Sequence, residues 1–181
     1  YAFGQPIIGP MADSIGKAKV LRLAMLTILL ADVMSFFVTS YEALFALRIM
    51  AGLGAGGIIP VSIALIADRT PVEKRQVALS HFMSVLMVGQ LYASPLSAYI
   101  SQKLGWQYVY PTAAVFAALS LGVLFWQLQP NPNAVRRPFS IAQSASTYRQ
   151  ILASPVARAC FFGVLCESVF IFSFLPHIAP Y

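Results

Sequence analysis

The sequence predicts an all-α integral membrane protein, and three observations predict it. Of its 181 residues, 59% are hydrophobic and only 10% charged, whereas a soluble domain carries roughly a quarter charged residues; mean hydropathy is +0.74. Apolar stretches then follow one another along the chain, each near the roughly 17–25 residues that a helix needs to cross a bilayer. Finally, no sustained apolar–polar alternation occurs anywhere, which argues against a transmembrane barrel.

Taken in order, the stretches predict a truncated helix over Tyr1 to Ala12 and full spans near Val20 to Val38, Leu44 to Ala67, Val77 to Ile100, Tyr108 to Leu128 and Val156 to His177. That makes about six crossings, the first incomplete. The chain opens at Tyr1 inside an apolar pattern and closes at Tyr181 just beyond another, so it reads as a piece of a longer protein. No basic start followed by a short apolar run and a small-residue cleavage site marks a signal peptide.

The longest connection, Gln129 to Pro155, carries Pro130, Pro132 and Pro138 among many Ser, Gln and Asn residues. It reads as a linker, with a short surface helix near Ile141 to Leu152. The organisation is therefore a first transmembrane unit over 1–128, a linker over 129–155 and a last helix over 156–181. Cys160 and Cys166 share one apolar segment but lie on different helical faces, so they are read as packing residues rather than a disulfide.

Basic residues set the orientation. Lys17, Lys19 and Arg22 flank the first connection, Arg69, Lys74 and Arg75 the third, and Arg136, Arg137, Arg149 and Arg158 the fifth. The second carries none and the fourth only Lys103. The odd-numbered connections are thus expected on the cytoplasmic side of a plasma or inner membrane. The net charge of +6 reflects this topology and not a nucleic-acid footprint, because the bases are split over separate loops.

One span carries an unusual stretch, Arg48 to Pro60. Read as a helix, Arg48, Gly52, Gly56 and Pro60 fall at four-residue steps on one face. Small residues at that spacing let a second helix approach closely in lipid, and an arginine at the head of the stripe must face protein or water. Asp32 and Arg48 each lie eight residues from Ser40, on opposite sides of an external turn, so they share a depth in adjacent helices. Either the two form a fixed tether, or Arg48 takes part in moving protons.

Glu167 is the third ionisable residue inside a span, near the middle of the last one. A lone carboxylate at that depth suits proton exchange, or a hydrogen bond to a neighbouring helix in its neutral form. Gln90, Ser94, Ser97 and Ser101 fall at steps of four, three and four on one face of their span. Such a face serves as a wet cavity wall or as a close-packing surface, and Tyr92 on the same span is a candidate for lining a substrate path.

Two short charged hairpins recur on the basic side. The first runs Gly9-Pro10-Met11-Ala12-Asp13-Ser14-Ile15-Gly16-Lys17, and the second Ala67-Asp68-Arg69-Thr70-Pro71-Val72-Glu73-Lys74-Arg75. Pairing of Lys17 with Asp68 is expected, and Asp13 is expected at a helix N-terminus or beside a base outside this chain; solvated loop charges of little energetic weight are the alternative.

The first hairpin resembles the G-x-x-x-D-[RK]-x-G-[RK] signature of the major facilitator superfamily. Arg48 with Gly52, Gly54 and Gly56 is similar to that superfamily's R-x-x-x-G-x-G-x-G motif, Asp68 to Arg75 to its D-R-x-P-x-x-x-R turn, and Gly105-Trp106 to its G-W opening of a span. Ser14 departs from the signature by replacing a base, and Ser94-Pro95-Leu96-Ser97-Ala98 is a degraded form of the G-P-x-x-G motif of drug–proton antiporters. The resemblance implies a partial major-facilitator bundle, helices two to seven of twelve, from a protein of two six-helix halves rocking about a central cavity.

It further implies a cytoplasmic gate at Gly9, Asp13, Gly16, Lys17, Asp68, Arg69 and Arg75. Helix packing falls to Gly52, Gly54, Gly56, Pro60 and Pro95, and Arg48, Asp32, Glu167 and Gln90 become candidates for proton coupling or the cavity wall. Expected partners are a small-molecule substrate and the lipid bilayer, with no nucleic acid, no cofactor and the proton gradient as energy source. The full-length protein is expected to be monomeric. The implied activity is proton-coupled efflux of drugs or small metabolites, with a non-transporting scaffold or an importer of sugars or organic anions as alternatives. Enzyme signatures such as H-E-x-x-H, a nucleophile elbow or a phosphate loop do not occur, so no enzyme is expected.

Overall fold

The computed structural model describes residues 1, 4–128, 146 and 149–178, without the side chains at 6, 7, 167, 168 and 170–178. All regular structure among them is helical: α1 (Gln5–Ile15), α2 (Lys17–Phe37), α3 (Tyr41–Arg69), α4 (Val72–Lys103), a 3₁₀ turn (Trp106–Tyr108), α5 (Val109–Gln127) and α6 (Pro155–Ile178). The chain divides into two compact units, Tyr1–Phe139 and Ser140–Tyr181. The second contains α6, on which Cys160 and Cys166 are exposed free thiols, with no disulfide between them. Most of the 129–155 linker lies outside the described residues, although the backbone at 149–153 is helical.

Local chemistry explains where the helices break. Gly16 has φ +108°, a conformation side chains disfavour, and this single residue separates α1 from α2. Ser40 caps α3, its hydroxyl accepting from the Ala43 amide at 3.4 Å, while Glu42 in the first turn and Arg69 in the last complement the helix dipole. Thr70 is extended, as a residue before proline prefers, and Pro71 opens α4. Gly105, at φ +107°, and the 3₁₀ turn lead into α5.

Four of the described helical stretches are long and apolar enough to cross a membrane: Lys17–Phe37, Tyr41–Arg69, Val72–Lys103 and Trp106–Gln127. The 11-residue α1 is not. Three of the four overrun the boundaries expected from hydropathy at their charged ends, reaching Lys17, Arg69, Val72 and Lys103. Hydropathy marks the hydrocarbon-immersed part, whereas a helix continues until a cap or breaker stops it.

In the first unit α2 is central, packed against α3 on one side and α5 on another, with α1 resting on α2 and α3. The core gathers at the hairpin end, where Ala12, Val20, Leu21 and Val61 are buried and Ile8, Met11, Ile58, Leu65 and Leu124 close around them. Gly52 and Gly56, two members of the four-residue stripe on α3, meet one neighbour, and Gly54 on the opposite face meets another. A Cβ at Gly54 would lie 3.0 Å from the Ala24 carbonyl oxygen and 3.3 Å from Thr27 Cβ on α2. One at Gly52 or Gly56 would meet the backbone of Tyr1, and one at Gly57 the side chain of Ile8. Pro60 is half-buried inside α3. By contrast, α4 buries no residue, and Pro95, expected as a packing position, is exposed.

Candidate functional site

Two polar clusters sit at opposite ends of the α2–α3 pair. At the hairpin end, Lys17 Nζ lies 2.6 Å from Asp68 Oδ2 and 3.8 Å from Asp13 Oδ1. The pairing of Lys17 with Asp68 is thus present, and Asp13 joins the same ammonium one helical turn away, not a helix N-terminus. Gly16 places Lys17 at the start of α2, where its side chain reaches across to the last turn of α3. Gly9 faces open space, with nothing within 4 Å of an added Cβ. Arg69 is exposed and Arg75 half-buried, the latter with its Nε buried and unpartnered.

Because the Asp68 side chain is 57% exposed, water screens this pair, and a double-mutant cycle of Lys17→Ala with Asp68→Asn is expected to give a thermal-stability coupling of about 0.2–1 kcal/mol. A coupling above about 2 kcal/mol would overturn the solvent-screened description of the pair.

Arg22 lies one turn further along α2. Its Nη2 donates to the Leu124 and Leu128 carbonyl oxygens at the C-terminus of α5, and its guanidinium lies 4.6 Å from the Phe125 ring centroid. From the sequence Arg22 was legible only as an orientation-setting base. In the structure it is a cation closing the negative end of a helix. Arg22→Ala is expected to loosen the last turn of α5 by about 1 kcal/mol, so that amides at 124–128 exchange about fivefold faster; unchanged exchange would remove this role.

At the opposite end, Arg48 enters from the second turn of α3. Its Nη2 donates to Asp32 Oδ1 at 2.9 Å and to Ser35 Oγ at 2.6 Å, with the Ala31 carbonyl oxygen at 3.4 Å. Ser35, fully buried, donates in turn to Ala31 O at 2.6 Å, so its hydroxyl is satisfied as both donor and acceptor. The Asp32 side chain is 7% exposed and that of Arg48 38%. The carboxylate is therefore withdrawn into the bundle while the guanidinium keeps partial access. The face of Arg48 rests on Tyr110 of α5, 4.7 Å from its ring centroid.

Asp32 also lines a cleft of about 870 Å³ between α2, α4 and α5. Its walls are mostly apolar, with Ile58, Tyr92 and Phe116 among them, and Ser94 and Ser97 are the polar contributions of α4. Of the polar stripe foreseen on that helix, Gln90 does not line the cleft and is exposed. The stripe keeps to one face of α4, but only its middle two residues line the cleft and its two ends, Gln90 and Ser101, do not. Glu167 lies on the helical backbone of α6, but its side chain is outside the described residues. No group of metal-ligating side chains occurs among the described residues.

Sequence reasoning missed Ser35 and Tyr110. A signal for Ser35 was available, since it follows Asp32 by one helical turn on the same face. Tyr110 had none, because its contact with Arg48 depends on how α5 packs against α2 and α3.

Spanning helices joined by short charged turns, with an ion pair withdrawn between two of them, define a polytopic helical membrane protein. The chain belongs to the Major Facilitator Superfamily, whose family model matches residues 1–181. It is 32% identical over 143 residues to the inner membrane metabolite transport protein YgcS of Escherichia coli, covering 78% of this chain and 32% of that protein. It is 35% identical over 106 residues to the putative niacin/nicotinamide transporter NiaP of Bacillus subtilis, covering 59% and 26%. Over 127 residues it is 26% identical to the multidrug export protein EmrB of Haemophilus influenzae, covering 70% and 25%. The chain thus spans about a third or less of the length of these relatives.

Proposed function

We propose that the chain is part of a secondary active transporter that works by alternating access and couples export of drugs or small metabolites to proton entry. The observation that carries the reading is the Asp32–Arg48 pair, an ion pair between two spanning helices whose carboxylate residue lines an apolar cleft. Inside a membrane such charges are costly, and they are retained where ions or substrates pass. The names of the relatives point to metabolites and to drugs, and the largely apolar cleft fits lipophilic compounds.

In this reading Lys17, Asp68 and Asp13 form a latch on the cytoplasmic side, closed when the cavity opens outward. The protein sits in a plasma or inner membrane, with the Lys17 and Asp68 hairpins in the cytoplasm. It needs no cofactor beyond the proton gradient and acts as a monomer. The experiment that tests it reconstitutes the full-length protein in lipid vesicles, imposes a pH gradient and follows a panel of lipophilic cationic dyes, nicotinic acid and nicotinamide. Gradient-dependent accumulation of at least one class supports coupled transport. Folded protein that moves no compound in either direction would overturn it in favour of a non-transporting membrane scaffold.

A further inference from the structure

Arg48 has an incomplete set of partners. Among the described residues its hydrogen bonds to Asp32, Ser35 and Ala31 all leave from one nitrogen, Nη2, while Nε is buried with no acceptor. Among the described residues its ion pair is with Asp32 alone. By its hydrogen bonds alone, a guanidinium held so asymmetrically would leave its place once the carboxylate became neutral, because the remaining acceptors, a hydroxyl and a carbonyl, carry no charge.

One partner does not depend on the state of Asp32. The Tyr110 ring presents its face to the guanidinium at 4.7 Å, and that attraction comes from the ring quadrupole. The ring is itself fixed from outside: Trp106 packs against it edge-on, centroids 6.1 Å apart at 89°. Tyr108, two residues before it, packs at 5.6 Å and 62° on Phe36 of α2. The positive φ of Gly105 and the 3₁₀ turn bring Trp106 and Tyr108 into these positions. A turn that the sequence marked only as a span opening therefore aims an aromatic face at the buried arginine.

We propose that Tyr110 is a positioning residue for Arg48, its ring holding the guanidinium at the Asp32 site when that carboxylate is uncharged. Arg48 then stays in register to meet the carboxylate again when it ionises. The consequence for transport rests on the coupled-transport reading above; the positional claim does not.

The test reads Arg48 directly in the full-length protein in lipid, using the rate at which phenylglyoxal modifies it, followed by mass spectrometry with Arg22 as internal control. Asp32→Asn supplies the uncharged state. With Tyr110 present, labelling of Arg48 in Asp32→Asn is expected to rise no more than about threefold over wild type. With Tyr110→Leu added, it is expected to rise about tenfold or more, and Tyr110→Phe, which keeps the ring face, is expected to behave as tyrosine does.

Equal labelling of the Phe and Leu variants in the Asp32→Asn background would overturn the proposal, since the ring face would then hold Arg48 no better than an aliphatic side chain does. If Tyr110→Leu exposes Arg22 as well, its fold is lost and Tyr110→Met replaces it in the same comparison. Absence of gradient-driven flux in wild type alongside the expected labelling pattern would sink the transport reading and leave the positioning role standing.

Discussion

Arg48→Ala is expected to abolish proton-gradient-driven flux by the full-length protein, a loss of at least about a hundredfold, while the protein still reaches the membrane. The substitution removes the partner of a carboxylate that is 7% exposed, together with the acceptor role of buried Ser35 and the cation over Tyr110. Breaking a fully buried pair from one side costs about 3–5 kcal/mol. Because the arginine side chain is 38% exposed, the cost here is expected nearer about 2–3 kcal/mol. A clear fall in thermal midpoint should therefore accompany the loss of flux.

The double variant Asp32→Asn/Arg48→Gln separates the two roles that the pair can have. Neutralising both partners removes the uncompensated charge, so most of the lost stability is expected to return. Flux is not expected to return, because neither side chain then changes charge. Recovery of gradient-driven flux along with stability would make the pair a tether and would place proton coupling elsewhere.

Gly54→Val is expected to have the second largest effect, this time on assembly. A Cβ at Gly54 would already sit 3.0 Å from the Ala24 carbonyl oxygen, which is backbone and has no rotamer to yield, and 3.3 Å from Thr27 Cβ. Two further methyl groups push α3 away from α2. Overpacking of this kind costs about 1–3 kcal/mol, and in lipid the close approach of helices is itself the main source of association. Gly54 stands between the two clusters along α3, so separation there also strains Lys17–Asp68 at one end and Asp32–Arg48 at the other. Lower thermal stability in detergent and reduced yield of folded protein are expected. By comparison Gly9→Ala should be nearly neutral within this chain, since a Cβ there meets nothing within 4 Å. A Gly54→Val protein as stable as wild type would mean that the helices slide apart without loss.

Much of this was legible before any coordinates. Depth alone paired Asp32 with Arg48, because both lie the same number of residues from the turn capped by Ser40, and the two hairpins brought Lys17 to Asp68. What the sequence left open concerns faces. Gln90 and Pro95 are exposed on α4, which buries no residue, and Gly54, opposite the Gly52–Gly56 stripe, meets a different helix.

By itself, the sequence determined the membrane class, the order of the spanning helices, the charged turns and the family, because hydropathy, breakers and charge act locally and need no knowledge of neighbours. Tertiary structure alone decided that Tyr110 covers Arg48, that Arg22 closes the end of α5 and that Gly54 faces α2 rather than α1. Each depends on the rotation and tilt of one helix against another. In lipid these are set by side-chain packing and interhelical hydrogen bonds, since apolar faces gain little there by turning toward protein.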